Sequence, residues 1–232
     1  MPTADTNWLC PGDAEAVATH AAAFILQAAR DAIDEHGSFR LVLAGGTTPQ
    51  RVYRLLAQAS ADWSHWQIYY GDERCLPADD AERNSHMADI AWLGQVEIPL
   101  QNIYPMPAEL GAETAAAQYS KIINAARPFD LVLLGMGEDG HTASLFPGQQ
   151  HQQNEPVHAV HDAPKPPPDR VSLSRDSLSD SREVMILITG AGKRTALAQW
   201  RAGEQLPIAT ITARQRVIIL TDTAATAQGS SD

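Results

Sequence analysis

Three runs in this 232-residue sequence gather side chains able to do chemistry. The most specific is Gly135-Met136-Gly137-Glu138-Asp139-Gly140-His141, in which three glycines fall within six residues ahead of a histidine. An imidazole changes charge near neutral pH and can take a proton from water. A lone histidine is commonly structural. Crowded glycines, however, cost stability in a loop and need a reason, such as the close approach of a ligand. The second run, Gly45-Gly46-Thr47-Thr48-Pro49, joins two glycines that let the backbone approach an anion to two hydroxyl donors and a helix start. The free amides and the dipole of such a start favour negative charge. The third, Gly71-Asp72-Glu73-Arg74, offers carboxylates and a guanidinium that can orient a hydroxyl, hold a catalytic group or stabilise developing negative charge.

Taken singly, the last two runs also read as an ordinary glycine turn and a solvated surface turn. Their shared position gives them weight. Each follows a short apolar run with the character of a strand buried on both faces: Phe39 to Ala44, Trp66 to Tyr70 and Phe129 to Leu134. Between them lie segments of helical period. Asp13 to His36 has Asp13 as a plausible N-cap and Gly37 as its stop, and Pro49 to Ser60 has Thr48 as its cap. Asn84 to Leu93 and Ala112 to Ala126 are helical by composition. Val184 to Thr189 reads as a further strand, with Gly190-Ala191-Gly192-Lys193 opening a helix through Trp200; Ile208 to Ile211 and Val217 to Leu220 read as late short strands. This alternation predicts an α/β fold with a mostly parallel central sheet and helices on both faces, in one domain over residues 1–221. Ligands bind beyond the carboxyl ends of strands in such sheets, which is where all three runs fall.

Composition sets a condition on any anionic ligand. Seventeen lysines and arginines against 28 acidic residues give a formal net charge of −11, which argues against nucleic acid or an anionic membrane as partner. Cations that bind a phosphate must therefore be gathered locally. Arg170, before a short strand-like run, and Lys193, at a strand-to-helix turn, are the candidates. The two cysteines, Cys10 and Cys75, have no metal-type spacing, and the first residues lack a signal-peptide pattern, so a cytoplasmic location is expected. Residues 149–169 read as a long surface loop whose histidines, His151, His158 and His161, are solvated rather than zinc-bound; residues 222–232 read as a poorly ordered tail. The glycine loop at Gly45 is neither a Walker loop nor a dinucleotide fingerprint, and Ser144 reads as packing and capping rather than a nucleophile.

The combination resembles the 6-phosphogluconolactonases of the oxidative pentose phosphate pathway, related in fold to glucosamine-6-phosphate deaminases and ribose-5-phosphate isomerases, a modified Rossmann-like architecture. The matching pieces occur in the family's order: Leu43 to Pro49, Asp72-Glu73-Arg74 with Asn84-Ser85, Asp130 to Pro147, Arg170-Val171-Ser172-Leu173-Ser174 and Gly190 to Lys193. Deaminases similarly carry Asp-Gly-His but continue into an Asn-Glu-Pro-like sequence, and tend to have tyrosine where this chain has Arg74. Here the chain continues Ser144-Leu145-Phe146-Pro147, as the lactonases do.

The resemblance implies a hydrolase of carbohydrate metabolism whose substrate is a small sugar-phosphate lactone. The phosphate would dock on Gly45, Gly46, Thr47 and Thr48, held by Arg170 and Lys193. His141 would be the general base, Arg74 would serve the oxyanion or orient the substrate, and Asp72 would position Arg74 or a sugar hydroxyl. No metal or cofactor is invoked, and the oligomeric state is left open. A deaminase-like sugar-phosphate isomerase or a non-catalytic sugar-phosphate sensor would share the phosphate loop, but a sensor would have no use for His141.

Overall fold

The computed structural model describes residues 5–149 and 155–227. Its framework is a six-stranded sheet formed by β1 (Asp5–Gly12), β2 (Phe39–Leu43), β3 (Trp66–Tyr70), β5 (Phe129–Gly135), β8 (Ser181–Ile188) and β9 (Arg216–Asp222), in the spatial order β1-β9-β8-β5-β2-β3. Every pairing is parallel, as the alternation of strands and helices requires. The central strands β5 and β8 are almost wholly buried, which is why they read as continuous apolar runs rather than alternating ones.

The helices fall close to where their period places them. Helix α1 (Ala14–His36) is capped by the Asp13 carboxylate, which accepts from the Ala16 amide at 2.8 Å, and ends at Gly37. Helix α2 (Thr47–Leu56) starts two residues earlier than expected, so its N-cap is Gly46 and not Thr48. At φ +103° Gly46 has a backbone conformation that other residues rarely adopt, which is what allows the sharp entry. Helices α3 (Asn84–Ala91), α4 (Ala112–Ala126) and α6 (Arg194–Arg201) follow their predicted segments. At the start of β3, the buried Trp66 meets Phe39 edge-on at 4.8 Å and Trp92 at 5.7 Å, closing the apolar core at that side.

Four features depart from expectation. The exposed strand β1 adds parallel to the edge of β9, although its sequence has no alternation and only the three-residue apolar stretch Trp8-Leu9-Cys10. A second, antiparallel sheet of β4 (Asp72–Arg74), β7 (Arg170–Leu173) and β6 (Val157–Val160) stands beside the first. Strand β6 thus occupies part of the expected 149–169 loop, and it buries His158, which was read as solvated; His151 lies outside the described residues. The expected strand Ile208 to Ile211 is instead a 3-10 turn, Pro207–Thr210, whose Ile208 amide donates to the Gly140 carbonyl at 3.1 Å. Pro207, with no amide to give, starts a turn more readily than a sheet pairing.

The end of the chain is also more structured than its composition suggests. Asp222 closes β9, and its carboxylate accepts from the Ala225 amide at 2.7 Å to cap the short helix α7 (Thr223–Thr226). A further short helix, α5 (Arg175–Ser179), is capped by Ser174. Residues 222–227 of the expected tail therefore belong to the fold, and 228–232 lie outside the described residues. No helix among the described residues is long and apolar enough to cross a membrane.

Candidate active site

The carboxyl ends of β2, β3 and β5 converge on one cleft of about 330 Å³, to which the turn after β8 brings Lys193. Gly45, Gly46, Asp72, Arg74, His141 and Arg170 all line it, and Lys193 completes the wall. Thr47 and Thr48 belong to the first turn of α2 and are not among the lining residues. The Thr48 hydroxyl instead meets that of Thr189 at 2.6 Å, tying the head of α2 to the end of β8. Tyr53 holds the same loop from beneath, donating to the Ala44 carbonyl at 2.8 Å and accepting from the Ala44 amide at 3.0 Å.

At Gly71 the chain passes from one sheet to the other. Its amide donates to Leu43 of the parallel sheet and its carbonyl accepts from Leu173 of the antiparallel one. This transfer delivers the Asp-Glu-Arg run with three different fates. Asp72 accepts from the buried Ser144 hydroxyl at 2.6 Å and from the Asn84 side chain at 3.2 Å, so its observed partners are not Arg74. Ser144 is fully buried, in keeping with a packing role. Glu73, 0% exposed, accepts from the amides of Arg74, Asn84 and Ser85 at 2.9, 2.7 and 2.8 Å, and caps α3 from a distance. Arg74 reaches the cleft, with Nη1 donating to the Glu82 carbonyl.

Close packing dictates two of the glycines. A Cβ on Gly45 would lie 2.1 Å from Asn84 Oδ1, so Asn84 of α3, which also lines the cleft, can sit there only against glycine. Gly45 is thus required by a neighbour inside the protein as well as by any ligand. A Cβ on Gly137 would lie 2.0 Å from His141 Nδ1 and 2.6 Å from Asp139 Oδ1.

His141 is held by Asp139. The carboxylate meets the imidazole Nδ1 at 2.5 Å and accepts from the His141 amide at 3.2 Å. With Nδ1 committed, Nε2 is the nitrogen left to take a proton. Burial pushes the His141 pKa below the ordinary histidine value, and this outweighs the Asp139 hydrogen bond and charge, which raise it; the positive charge of Lys165 acts with burial. The imidazole is therefore neutral, and able to accept a proton, at pH 7. Burial also acts on Asp139, in the raising direction, but the bond to His141 more than offsets it and leaves the carboxyl below its usual range. Burial lowers the Lys193 pKa too, against the nearby Glu138 carboxylate.

Arg170 lines the cleft but is only 6% exposed, and its guanidinium is already engaged. Nη2 donates to the carbonyls of Lys165 and Pro166 at 3.0 Å each, and Nε to that of Pro167 at 3.1 Å. Sequence reading left three residues of the site without roles: Asp139, which backs His141, and the cleft residues Asn84 and Lys165. Only Asp139 carried a local signal, a carboxylate two residues before the histidine in a glycine-rich turn. The other two reach the cleft through packing between segments distant in sequence.

Fold and cleft define a class: an open α/β protein with a carboxylate-backed histidine and several cations gathered at the carboxyl edge of its parallel sheet. Residues 12–220 match the family described as glucosamine-6-phosphate isomerases/6-phosphogluconolactonase. The chain is 37% identical over 239 residues to a 6-phosphogluconolactonase of Streptomyces coelicolor, covering 93% of this chain and 92% of that one. It is 38% identical over 216 residues to one of Mycobacterium tuberculosis, covering 85% and 87%. The crystal structure of a 6-phosphogluconolactonase from Thermotoga maritima superposes with a TM-score of 0.88 at 27% identity, over 94% of this chain and all of that one. A monomeric glucosamine-6-phosphate deaminase shares the fold, with a TM-score of 0.81 at 19% identity over 95% and 98% of the two chains. This chain belongs to the glucosamine-6-phosphate isomerase/6-phosphogluconolactonase family.

Proposed function

We propose that this protein hydrolyses 6-phospho-D-glucono-1,5-lactone to 6-phosphogluconate, with His141 as general base. The observation that carries the mechanism is the Asp139–His141 pair, set in a cleft with Arg74 and Lys193. Neutral His141 takes a proton from water through Nε2 as the water oxygen bonds to C1. Negative charge develops on the carbonyl oxygen, where Arg74 stabilises it. As the tetrahedral intermediate collapses, the bond between C1 and the ring oxygen breaks and the imidazolium returns its proton to that oxygen. Asp139 keeps Nδ1 protonated and stabilises the transient imidazolium. General base assistance of this kind contributes about a hundred- to ten-thousandfold.

The phosphate docks at the other end of the cleft, on Lys193 and on the backbone of Gly45 and Gly46 at the start of α2. In an acidic protein this local cluster of cations supplies the attraction that the surface as a whole does not. The reading extends to a single catalytic domain acting in the cytoplasm.

The test is a pH-stat assay on freshly prepared lactone, because each turnover releases a proton as the product acid ionises. Proton release well above spontaneous hydrolysis is expected, with no ammonia formed from glucosamine 6-phosphate. Hydrolysis no faster than buffer, or ammonia release in its place, would reject the assignment.

A further inference from the structure

The geometry points to Lys165 as a phosphate-binding cation of the cleft, carried there by a proline-rich loop that Arg170 straps in place, so that Arg170 acts as a positioning residue. The inference rests on the reading of the substrate as a phosphorylated lactone.

A guanidinium has five N–H donors in a fixed fork. Three of those of Arg170 go to consecutive carbonyls, those of Lys165, Pro166 and Pro167. A ligand cation for phosphate works best with a free bidentate face. Arg170 has spent most of that face on the loop. Its Cζ also lies over the Phe146 ring, 5.7 Å from the centroid, and the His141 ring lies 4.7 Å from that same ring. The root of Arg170 is fixed as well, because β7 pairs Arg170 with Arg74 and Ser172 with Asp72 across the antiparallel sheet. Each of these contacts holds; none leaves the side chain free to close on a ligand.

The loop held in this way is stiff by composition. Pro164, Pro166, Pro167 and Pro168 surround Lys165, and each proline fixes its own φ and restricts the residue before it. At the far end of the loop, the His161 ring contacts Asp169 at 2.7 Å and Glu113 of α4 at 3.2 Å. What the loop presents to the cleft is Lys165, with an exposed side chain. Its charge acts on both His141 and Lys193, which places it near the two groups at once. Two ammonium groups brought together at the mouth of one cleft repel each other, and a phosphate dianion bound between them removes that cost. A lysine suits this task, as a compact point charge at the end of a flexible stem.

The experiment compares wild type, Lys165→Ala, Lys165→Arg, Arg170→Lys and the double variant Lys165→Ala/Arg170→Lys. The readouts are steady-state kinetics on the phosphorylated lactone and on unphosphorylated glucono-1,5-lactone, and calorimetric binding of 6-phosphogluconate. Lys165→Ala is expected to raise KM and the Kd for 6-phosphogluconate about ten- to hundredfold, the loss of one charged hydrogen bond. Its kcat should stay within about threefold, and the preference for the phosphorylated over the unphosphorylated lactone should fall by the same factor as KM rises. Lys165→Arg should recover most of the binding. Arg170→Lys cannot span three carbonyls, so it should weaken binding in the same way, and the double variant should be no worse than the poorer single one.

An unchanged KM and Kd in Lys165→Ala overturns the proposal, as does an equal loss on both lactones. Additive losses in the double variant overturn the positioning role of Arg170 and restore it as a ligand. The Lys165 variants decide the matter by themselves should Arg170→Lys fail to fold. If wild type does not accelerate lactone hydrolysis, the functional reading fails and this inference falls with it. If wild type is active and Lys165→Ala binds normally, only this inference fails.

Discussion

Gly137 and His141 pack so closely that a Cβ on the first would lie 2.0 Å from Nδ1 of the second. The imidazole packs against the backbone of the loop that leads to it, and the Gly137 amide donates to the His141 carbonyl at 2.8 Å to close that loop. Gly137→Ala should therefore displace the ring and cost kcat most of the roughly hundred- to ten-thousandfold due to the base. Thermal unfolding should move little, since a side chain at the cleft surface is what must shift. Wild-type kcat in this variant would contradict the account.

Asp139→Asn tests the pairing from the other side. Burial lowers the His141 pKa and the Asp139 carboxylate partly restores it. Without that carboxylate the pKa falls further. The acid limb of kcat/KM, set by protonation of the free enzyme's base, should move to lower pH. The plateau should drop by part of the same catalytic factor, because the base is weaker and its tautomer no longer fixed. A shift of the acid limb to higher pH would mean that Asp139 does not support the base.

Lys193→Ala should raise KM by about tenfold or more with a smaller change in kcat, the signature of lost ground-state binding. Burial lowers the pKa of this ammonium. The charged form binds phosphate, so affinity in wild type should decline as pH rises through a value below the ordinary lysine range. Lys193→Ala should flatten that alkaline decline, as followed by KM across pH. An unaltered KM would remove Lys193 from the phosphate site.

Glu73→Gln should act on stability first. The buried carboxylate accepts three backbone amides and lies 3.5 Å from the buried Arg83. An amide side chain turns a donor toward donors and leaves Arg83 short of a charge partner, although Glu109 still holds that residue at 2.8 Å. Removing one partner of a buried pair costs about 3–5 kcal/mol, and the remaining Glu109 contact favours the lower end. Chemical denaturation reads this directly; a loss below about 1 kcal/mol would show that Glu73 is not the anchor of α3.

Five of the six parallel strands were legible because each is a short apolar run that needs no partner to be recognised, and α1 because Asp13 and Gly37 mark its ends. The small antiparallel sheet was not, apart from the strand-like run after Arg170 that forms β7. Its strands hold three or four residues and mix Asp, Glu, Arg and His with apolar neighbours, and only their pairing makes them strands. Strand β1 escaped for the same reason: it is exposed from Asp5 to Cys10 and takes its conformation from the edge of β9.

The site divides in the same way. Sequence alone determined which chemical groups this protein has to work with, where they fall relative to the strands, and that His141 follows a loop too rich in glycine to be ordinary. These are properties of residue type and spacing. Tertiary structure decided how each group is used: Asp72 turns to Ser144, Glu73 caps a helix, Asp139 backs the histidine, and Arg170 is drawn into a proline loop that brings Lys165 to the cleft. A carboxylate or guanidinium bonds to whatever donors or acceptors the fold sets within about 3 Å. That choice depends on contacts between segments far apart in the chain, which no local pattern records.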